Sequence, residues 1–388
     1  MNYIIGTGNF GIIVKTFLEF NNLEVSGFIE LNPNSLLSTH DNLPIVSIEN
    51  IDILDNLYIG TNRFNHRWIK ENLCKDLQIK FADKYIKPEI INKLKLSNNL
   101  KWSREKMEDE IRNYFMIRKF FNGNNLSETG SLILNSLDVV VTERCTLKCV
   151  NCSNLMQYYE KPNNSEEESL INNLDKILDT TFVNSLRFIG GEPLINRSLG
   201  KVIKRTCEKW SNKVKSVEIY TNGTILPSEE LIKACLNNPV TFYISDYGDK
   251  SKKLDEVLKL LNNHKIRSAV ESNLTWQDCG RVLPYDKNNI DFKYANCCVS
   301  KTFSLLNNYL YSCPFSANFH NLYEGEEKTN RDSIFIPDKS KSELLNLIRK
   351  IQVEDSPLSA CYYCNGRDYS VGTVKVAEQT REILKRNK

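Results

Sequence analysis

The sequence contains no run approaching the ~18 apolar residues that a membrane-crossing helix requires. Its first residues also lack the basic, apolar and small-residue succession of a secretory signal. Tyr3-Ile4-Ile5-Gly6 reads instead as a strand running into a turn. The expectation is a cytoplasmic protein with no membrane partner. Net charge is scarce too: 51 Lys and Arg against 48 Asp and Glu leave +3, with both signs interspersed. Nothing in that balance calls for nucleic acid as a partner. Histidine is rare, and His40, His66, His264 and His320 show no ligand spacing. Solenoid-type repeats are absent, and Asn-rich stretches such as Asn21-Asn22 and Asn124-Asn125 read as loop filler. A 41% hydrophobic and 26% charged chain of 388 residues is ordinary globular material, long enough for two or three domains.

Cysteine, by contrast, is plentiful, with twelve in the chain. In a reducing compartment these do not form a disulfide framework. Their clustering points to metal or redox chemistry.

The order of short apolar runs and helical periods divides the chain. Residues 1–85 read as a small α/β unit: strand Asn2–Ile5, turn Gly6–Gly11, helix Ile12–Phe20 and strand Val25–Ile29. Strand Leu57–Gly60, a helix over Arg63–Cys74 and strand Gln78–Phe81 complete it, and the alternation argues for a parallel sheet. Residues 86–136 form a linker around a helix over Arg104–Phe121, with Met107, Ile111, Tyr114, Phe115 and Arg118 at helical spacing. The Asn122-Gly123-Asn124-Asn125 segment ends that helix. From 137 to 285 the alternation restarts with strands Asp138–Thr142, Ser185–Ile189, Lys215–Tyr220, Val240–Ser245 and Ile266–Val270. Helices Leu170–Leu178, Ser198–Trp210, Ser228–Leu236 and Leu254–Leu261 lie between them, the first opened by a capping box of Ser165 and Glu168. Unusual residues follow the strand C-termini, where a barrel-type α/β fold places its chemistry. Residues 286–388 form a cysteine-bearing tail.

Cys145, Cys149 and Cys152 lie within eight residues just past the first barrel strand. Three thiolates that close can hold three irons of a four-iron cluster and leave the fourth with an open position. The competing reading, a zinc site, lacks a fourth ligand nearby. CTLKCVNC resembles the C-x3-C-x2-C signature of the radical S-adenosylmethionine (SAM) superfamily, over roughly 137–285. Gly190-Gly191-Glu192-Pro193, one βα unit later, resembles the family element that holds the SAM amino group. Thr221-Asn222 and Ser245-Asp246, at the next strand ends, resemble the polar contacts to SAM ribose and carboxylate, with plain turn chemistry as the alternative. Asn151 departs from the family, which has an aromatic residue there; this bears on adenine packing more than on the cluster. The resemblance implies a partial (β/α)6 TIM-type barrel, a [4Fe-4S] cluster, SAM as cofactor, and a flavodoxin or ferredoxin as electron donor. It also implies cleavage of SAM to a 5′-deoxyadenosyl radical that abstracts hydrogen from substrate.

Cys297-Cys298, Cys313 and Cys361-Tyr-Tyr-Cys364 form a second group, with Asn308–Ser312 as a hairpin strand leading into it. This resembles the twitch domain, a shortened SPASM domain, and implies one auxiliary [4Fe-4S] cluster; a structural zinc is the alternative. Spacing does not decide between Cys297 and Cys298, with Cys298 preferred as ligand. The spare thiol, Cys297 on that preference, is then either structural or a hydrogen donor near the substrate, and Cys279, in the loop Trp276–Gly280 expected over the barrel mouth, is a further catalytic candidate. Cys74, Cys207 and Cys235 read as buried helix residues.

Gly6, Gly8 and Gly11 lie between a strand and a helix, with Glu30 ending the next strand. That is a phosphate-and-ribose context. The segment resembles the nucleotide-sugar-binding domain of bacterial sugar acetyltransferases, with a half-Rossmann unit that only packs as the alternative. Together these features predict a radical SAM oxidoreductase that dehydrogenates or epimerises a sugar or nucleotide-sugar. The alternatives are modification of a ribosomally made peptide, and an iron–sulfur nucleotide-binding redox sensor or scaffold.

Overall fold

The computed structural model describes residues 1–30, 38–60, 78–80, 107, 132–236, 238–272, 275–284, 290–297, 299, 302–323, 331–353, 356–367 and 371–384. The chain forms two compact units, Met1–Asn125 with Asp368–Ser370, and Leu126–Arg367 with Val371–Lys388. Among the described residues no helix is long and apolar enough to cross a membrane.

The first unit contains β1 (Asn2–Ile5), α1 (Asn9–Phe20), β2 (Gly27–Ile29), β3 (Thr39–His40), β4 (Leu43–Pro44), β5 (Asn56–Ile59) and β6 (Gln78–Lys80). Four of these strands form a parallel sheet in the order β2-β1-β5-β6. Ile4 packs with Phe10, Ile13, Val14 and Phe17 of α1 on one face. Its neighbours Tyr3 and Ile5 join Ile29 and Leu57 on the other. β1 is therefore apolar on both faces, as an inner parallel strand must be. Helix α1 starts three residues earlier than the apolar period suggests, because Gly6 turns at φ 109° and Gly8 serves as N-cap. The expected helices over 63–74 and 104–121, and the boundary near residue 85, lie outside the described residues except for Met107, which is buried in this core.

In the second unit β7 (Leu132–Thr142), β8 (Thr181–Gly190), β9 (Val214–Thr221), β10 (Val240–Ser245) and β11 (Arg267–Glu271) run parallel and adjacent in sequence order. Helices α2 (Glu167–Thr180), α3 (Leu199–Trp210), α4 (Glu229–Leu236) and α5 (Leu254–Asn263) connect them. Leu137, Val139, Leu186, Phe188, Ile219, Phe242 and Ile244 meet Leu174, Ile177, Val202, Ile203, Leu231 and Val257 in one core. Each such side chain contributes roughly 1.5–3 kcal/mol on burial. Ser165 does not cap α2: its Oγ donates to Val140 O at 2.8 Å, its N to Val141 O at 3.0 Å, and Glu166 is the N-cap. The segment before α2 folds back along the end of β7, which takes the hydroxyl.

The remaining elements are β12 (Trp276–Gln277), α6 (Ile290–Asn296), β13 (Phe303–Leu306), β14 (Tyr309–Tyr311), α7 (Pro314–Leu322), β15 (Ser333–Phe335), α8 (Lys341–Val353) and β16 (Thr373–Val374). β13 lies parallel to β7 on the edge opposite β8, so six neighbouring parallel strands form the partial barrel. β14 and β15 continue the sheet antiparallel. The β13–β14 turn uses Asn307 and Asn308 at φ 44° and 67°, the left-handed pair that favours Asn in a tight hairpin. The parallel strands bring Thr142, Gly190, Thr221 and Ser245 to one edge of the sheet.

Candidate active site

Cys145, Cys149 and Cys152 occupy the loop after β7, Cys149 buried and the other two half-buried. Burial pushes the Cys145 thiol up to about 12 and Cys149 to about 11, and raises Cys152. These thiols ionise readily only against a bound cation, so metal binding would release protons. Donors already point at two of the sulfurs: Leu147 N at 3.4 Å and Asn222 Nδ2 at 3.7 Å from Cys145, and Gln379 Nε2 at 3.2 Å from Cys149.

The two glycines after β8 serve this loop. A Cβ on Gly191 would lie 2.3 Å from Arg144 O and 2.8 Å from Cys145 Cβ, and one on Gly190 would lie 2.3 Å from Thr142 O. They let the first thiol sit directly on the end of β8. Glu192 is fully buried, and its carboxylate accepts from Thr221 Oγ (2.8 Å), Asn222 N (2.8 Å) and Leu194 N (3.1 Å). Burial nevertheless lifts it to about 7. With roughly four acceptor positions on a carboxylate, Glu192 ties the ends of β8 and β9 together and keeps one position for a further donor. Pro193 opens the 3-10 turn Pro193–Ile195 beneath it. Ser245 and Asp246 are largely engaged in turn chemistry: Ser245 O accepts from Ser251 Oγ at 3.2 Å, and Asp246 from Gly248 N at 2.8 Å and Ser272 Oγ at 3.1 Å.

Residues the sequence reading passed over hold the loop from the other side. A Cβ on Gly280 would lie 2.3 Å from Asn151 O, so only glycine lets the 279–280 segment pass there. Gln157 Nε2 donates to Gly280 O at 2.5 Å. Cys279 is buried there, and its charge would raise both the Cys152 and the Cys364 thiol.

A partly open pocket follows. Cys297, Cys313, Cys361 and Cys364 line it together with Cys279, and Ser153 and Asn154 of the first cysteine loop also reach it. Lys293 and Arg367 are part of its wall. Cys298, the preferred ligand of its pair, lies outside the described residues. Burial raises Cys313 and Cys364, and pushes Cys361 up to about 12. A buried polar knot, His320 Nε2 with Ser359 Oγ (3.1 Å) and Ser359 N with Asp332 (2.9 Å), fixes the chain just before Cys361. Among the described residues no three His, Cys, Asp or Glu side chains close on a single-ion position; the thiols surround a volume.

The model of the radical SAM superfamily matches residues 139–278, from β7 through the cysteine loop to the residue before Cys279. The chain carries a radical SAM domain. Among its sequence relatives is the GTP 3′,8-cyclase of Clostridium acetobutylicum, 31% identical over 163 residues, 41% of this chain and 50% of the relative. The alignment thus spans half the relative's length. The GTP 3′,8-cyclase of Clostridium botulinum strain Langeland is 27% identical over 277 residues, 62% of this chain and 80% of the relative. Solved structures with a similar course include BtrN in complex with AdoMet and 2-DOIA, at TM-score 0.41 and 17% identity, covering 66% of this chain and 98% of that one. Native anSMEcpe with bound AdoMet and Cp18Cys peptide follows at TM-score 0.40 and 16% identity, covering 56% and 82%. Likenesses of that grade carry no argument about substrate.

A radical SAM domain works with a [4Fe-4S] cluster and SAM, and the donor set here fits both. Three thiols on one loop match a cluster with one open iron. The polar ends of β8, β9 and β10 lie along the same edge of the sheet as that loop. The domain's concave face adds a feature the sequence reading missed. Asp138, Arg187 and Glu218 are register partners across β7, β8 and β9. Arg187 Nε donates to Asp138 at 2.5 Å, and Tyr220 stacks on Tyr243 at 4.9 Å. A charge three or four residues before the end of each of three largely apolar strands was the available signal. Cys207 and Cys235 are buried in the helical core as expected, and Cys74 lies outside the described residues.

In the separate first unit, Gly6, Gly11 and Glu30 come together: the Thr7 hydroxyl donates to the Glu30 carboxylate, and a Cβ on Gly11 would lie 2.2 Å from Gly6 O. Gly8 is exposed, with nothing within 4 Å of an added Cβ.

Proposed function

We propose that the protein is a radical SAM enzyme that removes hydrogen from the sugar of a nucleotide or nucleotide-sugar, with an auxiliary [4Fe-4S] cluster beside the substrate. The observation that carries this reading is the cavity itself. Its wall joins the first cysteine loop, through Ser153 and Asn154, to the second thiol group and to the cations Lys293 and Arg367. A phosphate-bearing substrate would be charge-matched there, between two redox centres.

In this reading Cys145, Cys149 and Cys152 hold the SAM-binding cluster, and Cys313, Cys361 and Cys364 with one of Cys297 and Cys298 hold the auxiliary one. Bound, these groups and SAM supply the 5′-deoxyadenosyl radical and an acceptor for the substrate's second electron. The chain's own part is to orient and exclude. Gly191 seats the cysteine loop, Glu192 fixes the strand ends, and the buried walls keep water from the radical. Cys279 and Cys297, both on the cavity, are the thiols placed to return a hydrogen if the outcome is epimerisation. The glycine turn of the first unit, Gly6, Gly8 and Gly11 with Glu30, is proposed separately as a nucleotide-binding site. A flavodoxin or ferredoxin would deliver the first electron.

A second reading, cyclisation of GTP itself, is favoured by the two clostridial relatives. One assay addresses both. Anaerobically reduced holoprotein is given SAM with GTP, nucleotide-sugars, free sugars or a peptide panel, and 5′-deoxyadenosine and substrate mass are followed. Nucleotide-sugar turnover with loss of two hydrogens, or with unchanged mass and inverted configuration, supports the first reading. GTP conversion at unchanged mass supports the second. Stimulation by peptides alone would overturn both.

A further inference from the structure

The C-terminal segment crosses the first cysteine loop and pairs with it. Val150 N donates to Glu378 O at 2.7 Å and Thr380 N to Lys148 O at 2.8 Å, with Cys149 and Gln379 as antiparallel bridge partners. Further on, Leu384 N donates to Gln157 O at 3.0 Å, the same Gln157 that supports Gly280. The Gln379 amide is specified at every position. Its oxygen accepts from Lys148 N at 2.8 Å, and a backbone N–H leaves no choice about which end faces it. Its nitrogen must then point the other way, to Cys149 Sγ at 3.2 Å and Ala377 O at 2.9 Å.

We infer that Gln379 is a positioning residue for the SAM-binding cluster, directing an amide N–H at the sulfur of Cys149 and so favouring the cluster's reduced state. The inference rests on the reading of Cys149 as a cluster ligand. One-electron reduction adds negative charge that spreads onto the thiolate sulfurs, and a donor aimed at one of them stabilises that charge. The two backbone bonds flanking Gln379 hold the amide in place and cover that side of the loop.

The test is an anaerobic potentiometric titration of the first cluster with dithionite, on protein whose auxiliary ligands Cys361 and Cys364 are replaced by Ala. Wild-type Gln379 is compared with Gln379→Leu, and iron is counted in each. The expected result is a midpoint potential shifted to more negative values in Gln379→Leu at unchanged iron content. Gln379→Glu keeps the contact to Lys148 N but turns an oxygen towards the sulfur, so a shift at least as large is expected. That variant is measured in its place if the Leu variant fails to load iron. Equal potentials in wild type and variant at equal iron would overturn the inference. A separate control isolates the underlying reading: iron that survives Cys149→Ala would remove Cys149 as a ligand, whatever Gln379 does.

Discussion

Gly191→Ala is the sharpest steric test of how the cysteine loop is seated. The added methyl would lie 2.3 Å from Arg144 O, 2.6 Å from Arg144 C and 2.8 Å from Cys145 Cβ, well inside van der Waals contact. These are mostly backbone atoms, so no side chain can swing aside. Arg144 O also accepts from Glu192 N at 2.8 Å, so moving it sacrifices that bond as well. Overpacking costs about 1–3 kcal/mol, and a lost hydrogen bond adds about 1 kcal/mol, so a cost near 3 kcal/mol is expected. At roughly 2–4 °C per kcal/mol for a unit of this size, the melting temperature should fall by about 6–12 °C. Iron bound at the first site should fall with it, because Cys145 is pushed off the end of β8. Gly372→Ala is the matched control in the same unit: nothing lies within 4 Å of its added Cβ. The assay is thermal melting by circular dichroism, with iron content measured on the same samples. A Gly191→Ala protein that melts with the control and holds wild-type iron would refute the reasoning.

Three further outcomes are expected. The folded Glu192 carboxyl sits at about 7, above its ordinary 4.5, so the folded state holds the proton more tightly than the unfolded chain. Stability from this group is full below about pH 4.5 and falls as pH rises through 7, by at most about 3 kcal/mol. Glu192→Gln should lose that slope in urea melts taken across the range, while paying about 1–3 kcal/mol for an amide set against Asn222 N; an unchanged slope would count against the assignment. Arg187→Met strands the buried Asp138 carboxylate and should cost about 3–5 kcal/mol, largely recovered in the Arg187→Met/Asp138→Leu double variant; denaturant midpoints decide, and a single-variant cost below about 1 kcal/mol would contradict the pairing. Removing Cys279 by Cys279→Ala should leave iron content intact if it is no ligand, and a drop in iron would move it into a ligand set.

The elements from β7 to β11, and β1, α1, β2, β5 and β6 of the first unit, were legible because their apolar periods are strong. Strand β10 falls on the expected Val240–Ser245, and the other barrel elements differ at their ends. β7 begins six residues before Asp138, since Leu132, Leu134 and Leu137 continue inward past the exposed Asn135. The pairing of β13 with β7 spans more than 160 residues and has no local signal. The same is true of Gln379 on Cys149, a polar residue in a polar tail whose meaning appears only when the chain returns to the loop. The thiol spacings were legible as chemistry. The purpose of Gly190 and Gly191 was legible only in part, because their close approach is to the cysteine loop itself. The Ser165–Glu168 pattern predicts a cap that does not form, because a Ser three residues before a Glu looks the same whether its hydroxyl turns to the helix or to the preceding strand.

The measurement that bears most directly on the account is the iron and sulfide content of anaerobically prepared protein, wild type against the Cys145/Cys149/Cys152→Ala triple variant. Two four-iron clusters predict about eight irons falling to about four. About four irons falling to none, with zinc in the remaining thiols, would contradict the auxiliary cluster and the oxidation proposed to depend on it.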